Sequence, residues 1–143
     1  MTKRYGLAFL ACMIFFTQPA QARSLLGSWV LTQAEVAPWS DGSIANAGLK
    51  DQTITFSATS VGGPSVLNCE RARYAEVSVP RAGLFMGGLP APAERAAQKL
   101  GFTRSEVASV ALSCSTGVFM FHFTPQGTLK FALDDTIWTL RRR

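Results

Sequence analysis

The sequence predicts a mainly β fold, an antiparallel barrel or barrel-like sandwich with one short helix at about residues 92–101. Three observations point there. Apolar residues past position 26 alternate with period two more often than they cycle with a helical period. The runs are joined by short segments with turn chemistry. One segment alone carries clear helix start and stop signals.

In order along the chain, 28-SWVLT-32 puts Trp29 and Leu31 on one face, and 53-TITFS-57 does the same with Ile54 and Phe56. Gly62-Gly63-Pro64 is a loop. The run 73-RYAEVSV-79 alternates until Pro80, and 83-GLFMGGLPAP-92 is a long loop too apolar for a solvated linker. The helix follows. Pro92 stands near its first turn, Glu94 suits the positive end of the helix dipole, Lys99 suits the other end, and Gly101 can stop it. Beyond it Ala108, Val110, Leu112 and Cys114 share a face, then Phe119, Phe121 and Phe123, then Leu129, Phe131 and Leu133. Ser115-Thr116-Gly117, Pro125-Gln126-Gly127 and Asp134-Asp135 turn the chain between them, and Ile137-Trp138-Thr139-Leu140 ends it. The last third is thus a meander of four strands. No repeat and no second domain is apparent.

The first 22 residues have the order of a secretory signal. Lys3 and Arg4 are followed by apolar 6-GLAFLACMIFF-16 and then by Ala20-Gln21-Ala22, a small-x-small site for signal peptidase. The apolar run of about 11 residues is short of the roughly 20 a spanning helix needs. A lipoprotein signal at Cys12 is the weaker alternative, since Phe9 stands where Leu is wanted. Cleavage leaves residues 23–143, enough for a single β-rich domain in the periplasm or outside the cell. It also leaves two cysteines, Cys69 and Cys114. In an oxidising compartment they form one bridge; two buried free thiols are the alternative.

Charge argues against nucleic acid. The net charge of +5 falls by two when Lys3 and Arg4 leave, and the remaining excess sits in Arg141, Arg142 and Arg143. A neutral body with a basic tag is not a DNA-binding face. The stretch 96-AAQKLGFTRSEVASV-110 has helix-turn-helix spacing, and Thr103 with Glu106 has capping-box spacing, so one further helical turn is expected there. A recognition helix would need several base-reaching side chains, however, and 103-TRSEVAS-109 offers chiefly Arg104. A helix, a glycine turn and a strand explain the same apolar spacing.

Catalytic residues are sparse. His122 is the single histidine, opposite the Phe face of its strand. It is either a general base or an exposed or barrel-facing imidazole. One His and two separated Cys give no local zinc ligand pair, so no metal and no cofactor is implied. Gly62-Gly63 and Gly87-Gly88 lack phosphate-loop spacing. Aromatic residues are the richer signal. Trp39 with Leu84, Phe85 and Met86, all in loops, either rim a partner or ligand surface or pack as core, and His122 is a further candidate for that surface.

The two ends together suggest a family. The chain begins its first strand 26-LGSWVLTQAE-35, with Gly-x-Trp, and ends 136-TIWTLRRR-143, with a cation after the last strand. This resembles the calycin arrangement of lipocalins and of small bacterial inhibitors of secreted metalloproteases. The resemblance implies a barrel closed by Gly27, Trp29 and Arg141, with the guanidinium over the indole. It implies a non-catalytic binding protein, engaging a protein such as a secreted hydrolase or a small apolar ligand. The segment 68-NCERARY-74, with the opening Trp strand, resembles META-type envelope domains and implies a structural or stress role. A secreted enzyme is the third expectation.

Overall fold

The computed structural model describes residues 25–143. The expected export signal, its cleavage site and Cys12 lie outside the described residues. Eight strands form one antiparallel sheet: β1 (Gly27–Val36), β2 (Thr53–Phe56), β3 (Val61–Gly62), β4 (Arg73–Pro80), β5 (Glu106–Cys114), β6 (Gly117–Phe123), β7 (Leu129–Leu133) and β8 (Thr136–Arg142). Their order across the sheet is β3-β2-β1-β8-β7-β6-β5-β4. Neighbours in sequence are neighbours in the sheet except β3 and β4, which are its two end strands, and the first and last strands pair within it. The β5 to β8 meander is the one the alternation predicts.

Period two decides which side chains fill the curl of this half-barrel. Trp29, Leu31, Phe56, Leu112, Phe121, Phe131, Trp138 and Leu140 point inward, each at most 2 % exposed. Phe121 is the centre of the aromatic packing, 5.1 Å from the Phe56 ring and 4.9 Å from that of Phe131. Full burial of each such side chain contributes about 1.5–3 kcal/mol before entropy is counted. The interior is therefore a packed core.

Part of the outer face is covered as well, and this is where the apolar loop of the middle third goes. A 3-10 segment (Arg81–Gly87) and the helix α1 (Ala93–Lys99) lie over β5, β6 and β8. Leu84, Leu100 and Phe102 pack there against Val107 and Ile137. The helix falls inside the expected range, with Pro92 before it, Glu94 in its first turn and Lys99 in its last. Glu94 also pairs with Arg81 at 3.2 Å, fastening helix to 3-10 segment. Gly101, at φ +93°, ends it. The further turn expected at Thr103 does not form, because Glu106 is already the first residue of β5.

The seam between β3 and β4 has no strand ladder. Residues 68–74 stitch it instead. Cys69 bridges Val61 by backbone pairing and is bonded to Cys114 on β5, with Cα atoms 5.6 Å apart. Ala72 N–H donates to the Thr59 carbonyl at 2.8 Å, and the Tyr74 hydroxyl donates to the Ser57 carbonyl at 2.8 Å. The two cysteines thus form one bridge rather than two thiols.

At the other end of β1 the expected cation–indole contact is present, with a different arginine. Arg142, not Arg141, lies over Trp29, its guanidinium carbon 4.5 Å from the ring centroid. Strand register is the cause. Arg142 pairs with Trp29 and shares its face, whereas Arg141 pairs with Val30 on the opposite face. Gly27 makes room: a Cβ there would sit 2.8 Å from Arg142 Nη1, at a backbone φ of +116°. The same Nη1 donates to the Leu26 carbonyl at 3.0 Å, and the Trp29 indole N–H donates to the Leu25 carbonyl at 2.8 Å.

Candidate binding surface

Of the candidate surface residues, the structure brings Trp39, Leu84, Phe85, Met86 and His122 to one place, in two layers. Leu84, Phe85 and His122 are buried, which corrects their placement on a surface. Trp39 is 37 % exposed and Met86 79 % exposed above them. The lower layer is core because the last three residues of β6 are buried: Phe121 packs inward, and His122 packs outward under the 3-10 segment.

His122 is neither exposed nor barrel-facing. Its Nε2 accepts from the Phe85 backbone N–H at 3.2 Å, so the ring proton is on Nδ1 and donates to Ser109 Oγ at 2.7 Å. Ser109 Oγ in turn donates to the Val107 carbonyl at 3.2 Å. The Phe85 ring meets the imidazole edge-on at 4.9 Å. Burial pushes the His122 pKa down to about 4, which keeps it neutral. Both ring nitrogens and the Ser109 hydroxyl are occupied, and the chain of bonds fixes the 3-10 segment to the sheet. Its chemistry is that of a clamp.

What the clamp holds is a backbone that resists its conformation. Phe85 and Met86 are consecutive non-glycine residues in the left-handed region, at φ 53° and 56°, ahead of Gly87 at φ 78°. Each left-handed residue costs roughly 1–2 kcal/mol. Phe85 is compensated by its buried ring and by the His122 bond. Met86 has no such compensation and is carried out into solvent. Trp39 packs on Phe85, their ring centroids 5.7 Å apart. Gly88 lets the indole lie close: a Cβ there would be 3.4 Å from the ring. Two large apolar side chains are therefore presented on a rigid base.

Next to them is a pocket of about 210 Å³, walled by Pro38, Pro90, Pro92 and Leu100 with Arg95 and Lys99 among its lining. Pro38, in the pocket wall, adjoins Trp39 in the chain. Sequence reasoning missed this pocket, the Ser109 anchor and Arg142. The last was legible: Trp138, Leu140 and Arg142 share the parity that faces Trp29. The pocket had no such signal, since it is assembled from segments about 50 residues apart in the chain.

No protein-family model matches the chain, and no curated protein or solved structure matches it.

Proposed function

We propose that this is an exported, non-catalytic binding protein whose partner is another protein, docked on the face built by Trp39, Met86 and the proline-walled pocket. One observation carries the proposal: a strained, clamped segment holds Met86 79 % exposed, and its Phe85 packs on the half-exposed Trp39 indole. Strain of this kind persists where the surroundings over-determine it, and it clusters at ligand clamps. Tryptophan and methionine are also enriched at the cores of protein interfaces. The packed interior favours this over carriage of an apolar ligand inside the barrel.

Export rests on the signal-like first 22 residues, with the disulfide in keeping. No helix among the described residues is long and apolar enough to cross a membrane. Inhibition of a secreted hydrolase, which the calycin resemblance implies, is one form that such binding would take.

The test is affinity capture from the host's own envelope fraction and medium with residues 23–143 as bait. Met86→Asp and Trp39→Ala, both at exposed positions, are the paired baits. A partner that uses this face should bind each variant at least about 30-fold more weakly, as loss of an interface hot spot of about 2 kcal/mol requires. A partner held equally by all three baits would place binding elsewhere.

A further inference from the structure

β1 loses one of its two neighbours half-way along. β2 pairs with residues 27–30 only, and Leu31 closes that side by donating to the Gln52 carbonyl at 3.0 Å and accepting from the Asp51 N–H at 2.8 Å. After a β-bulge between Leu31 and Gln33, the strand runs on to Val36 against β8 alone. The ladder fixes where its backbone groups point. Ala37 N–H donates to the Asp135 carbonyl at 2.9 Å, so the alternation puts Val36 and Ala34 in non-hydrogen-bonded pairs with Thr136 and Trp138. The N–H and C=O groups of Ala34 and Val36 therefore face away from β8, towards the side that β2 has left. They have no backbone partner there among the described residues.

This side is a groove of about 510 Å³, within the range of about 300–1,000 Å³ typical of ligand clefts. Residues 32–35 line it on β1, and Ile44, Ala47 and Lys50 line it from the following loop. The loop is tied down by other contacts: Ala45 N–H donates to Thr136 Oγ1 at 2.8 Å, and Asn46 Nδ2 to Asp134 Oδ2 at 2.6 Å. Trp138 also lines the groove, and its buried indole N–H has no acceptor among the described residues.

The geometry points to a strand-addition site: the free edge of β1 at Ala34 and Val36 takes an extended segment of a protein partner in which apolar and acidic residues alternate. Two donors and two acceptors at a two-residue spacing match the backbone of an extended chain. Ile44, at 41 %, and Val36, at 38 %, offer exposed apolar surface to one face of that chain. Lys50 is exposed and has no ion pair among the described residues, whereas Lys130 is already held by Glu35; Lys50 therefore selects an acid. The loop wall disfavours a second copy of this chain, because edge-to-edge pairing would set two such walls and two Lys50 ammonium groups against each other. A single peptide of about five residues, roughly 17 Å long, has no such conflict. The site shares no residue with the Trp39 and Met86 face.

The experiment selects a random library of displayed seven-residue peptides on the immobilised protein, residues 23–143. The best is then measured as a synthetic peptide. Enriched sequences should alternate apolar residues with Asp or Glu. Ala47→Trp, which fills the groove from an exposed loop position, and Lys50→Glu should each raise the Kd at least tenfold, and Met86→Asp should leave it unchanged. Hydrogen exchange at the Ala34 and Val36 amides should slow when the peptide binds. An unchanged thermal midpoint for Ala47→Trp shows that its fold is intact, and Lys50→Glu provides a second probe. Binding that survives both groove variants, protection that appears elsewhere, or no peptide above background would overturn the proposal. Protection of the same two amides by self-association alone would assign the edge to a second copy and overturn it too. A peptide sensitive to Met86→Asp but not to Ala47→Trp would belong to the other face.

Discussion

Arg142 shows how much one step of register matters. Its guanidinium lies over Trp29 and caps the Leu26 carbonyl, while Arg141 and Arg143 on either side make no comparable contact with the indole. Arg142→Ala should therefore cost about 1–2 kcal/mol in denaturant unfolding, against no more than about 0.5 kcal/mol for Arg141→Ala. Arg142→Lys should recover only part, since an ammonium does not stack as a plane. Equal midpoints for Arg141→Ala and Arg142→Ala would remove the contact from the list of stabilising features. His122 makes a second test at this scale. Its folded pKa of about 4 lies below the ordinary value of 6.5, so the unfolded chain binds the extra proton first. The stability His122 contributes is complete above about pH 6.5 and is lost as pH falls towards 4, by up to about 3 kcal/mol. His122→Gln, which keeps an acceptor for the Phe85 N–H, should flatten the pH dependence in that window relative to the native protein. An identical slope in both proteins would mean that other groups cause it.

Among the elements, alternation foretold the strands and the turn residues foretold where the meander reverses. The helix was legible from Pro92, Glu94 and Gly101. Three features were hidden. The two-residue strand β3 is too short to show a period. The left-handed residues Phe85 and Met86 violate local preference, so local preference could not reveal them; the His122 bond across to β6 holds them there. Residues 83–92 read as too apolar for a linker because they cover the part of the sheet that is buried on both faces. The seam is the element-scale weak point, with a disulfide and a few hydrogen bonds in place of a ladder. The chain-entropy model gives a 45-residue loop about 4 kcal/mol of stabilisation. Replacing both Cys69 and Cys114 with Ser should therefore cost about 2–4 kcal/mol. Hydrogen exchange should quicken first at residues 57–74 while β7 and β8 keep their protection. Uniform loss of protection across the sheet would show that the bridge supports the whole barrel rather than its seam.

At the scale of the molecule, the half-barrel is a rigid mount. Its interior is filled, part of its outer face is covered, and the excess positive charge of residues 23–143 is confined to the last three residues. Composition made that balance legible. The proposed binding surface was half legible: Trp39, Phe85 and Met86 stood out as aromatic and apolar residues in loops, but which of them would emerge depended on long-range packing. Only the fold shows that Phe85 is the anchor and Met86 the knob. A benzophenone side chain in place of Met86, activated by light in the protein expressed in its own host, tests this most directly. The same group in place of Val118, which is 56 % exposed on β6, is the comparison. Position 86 should give one discrete adduct with another protein, absent from position 118. No adduct at position 86, or the same adducts from both positions, would contradict a protein-binding face at Met86.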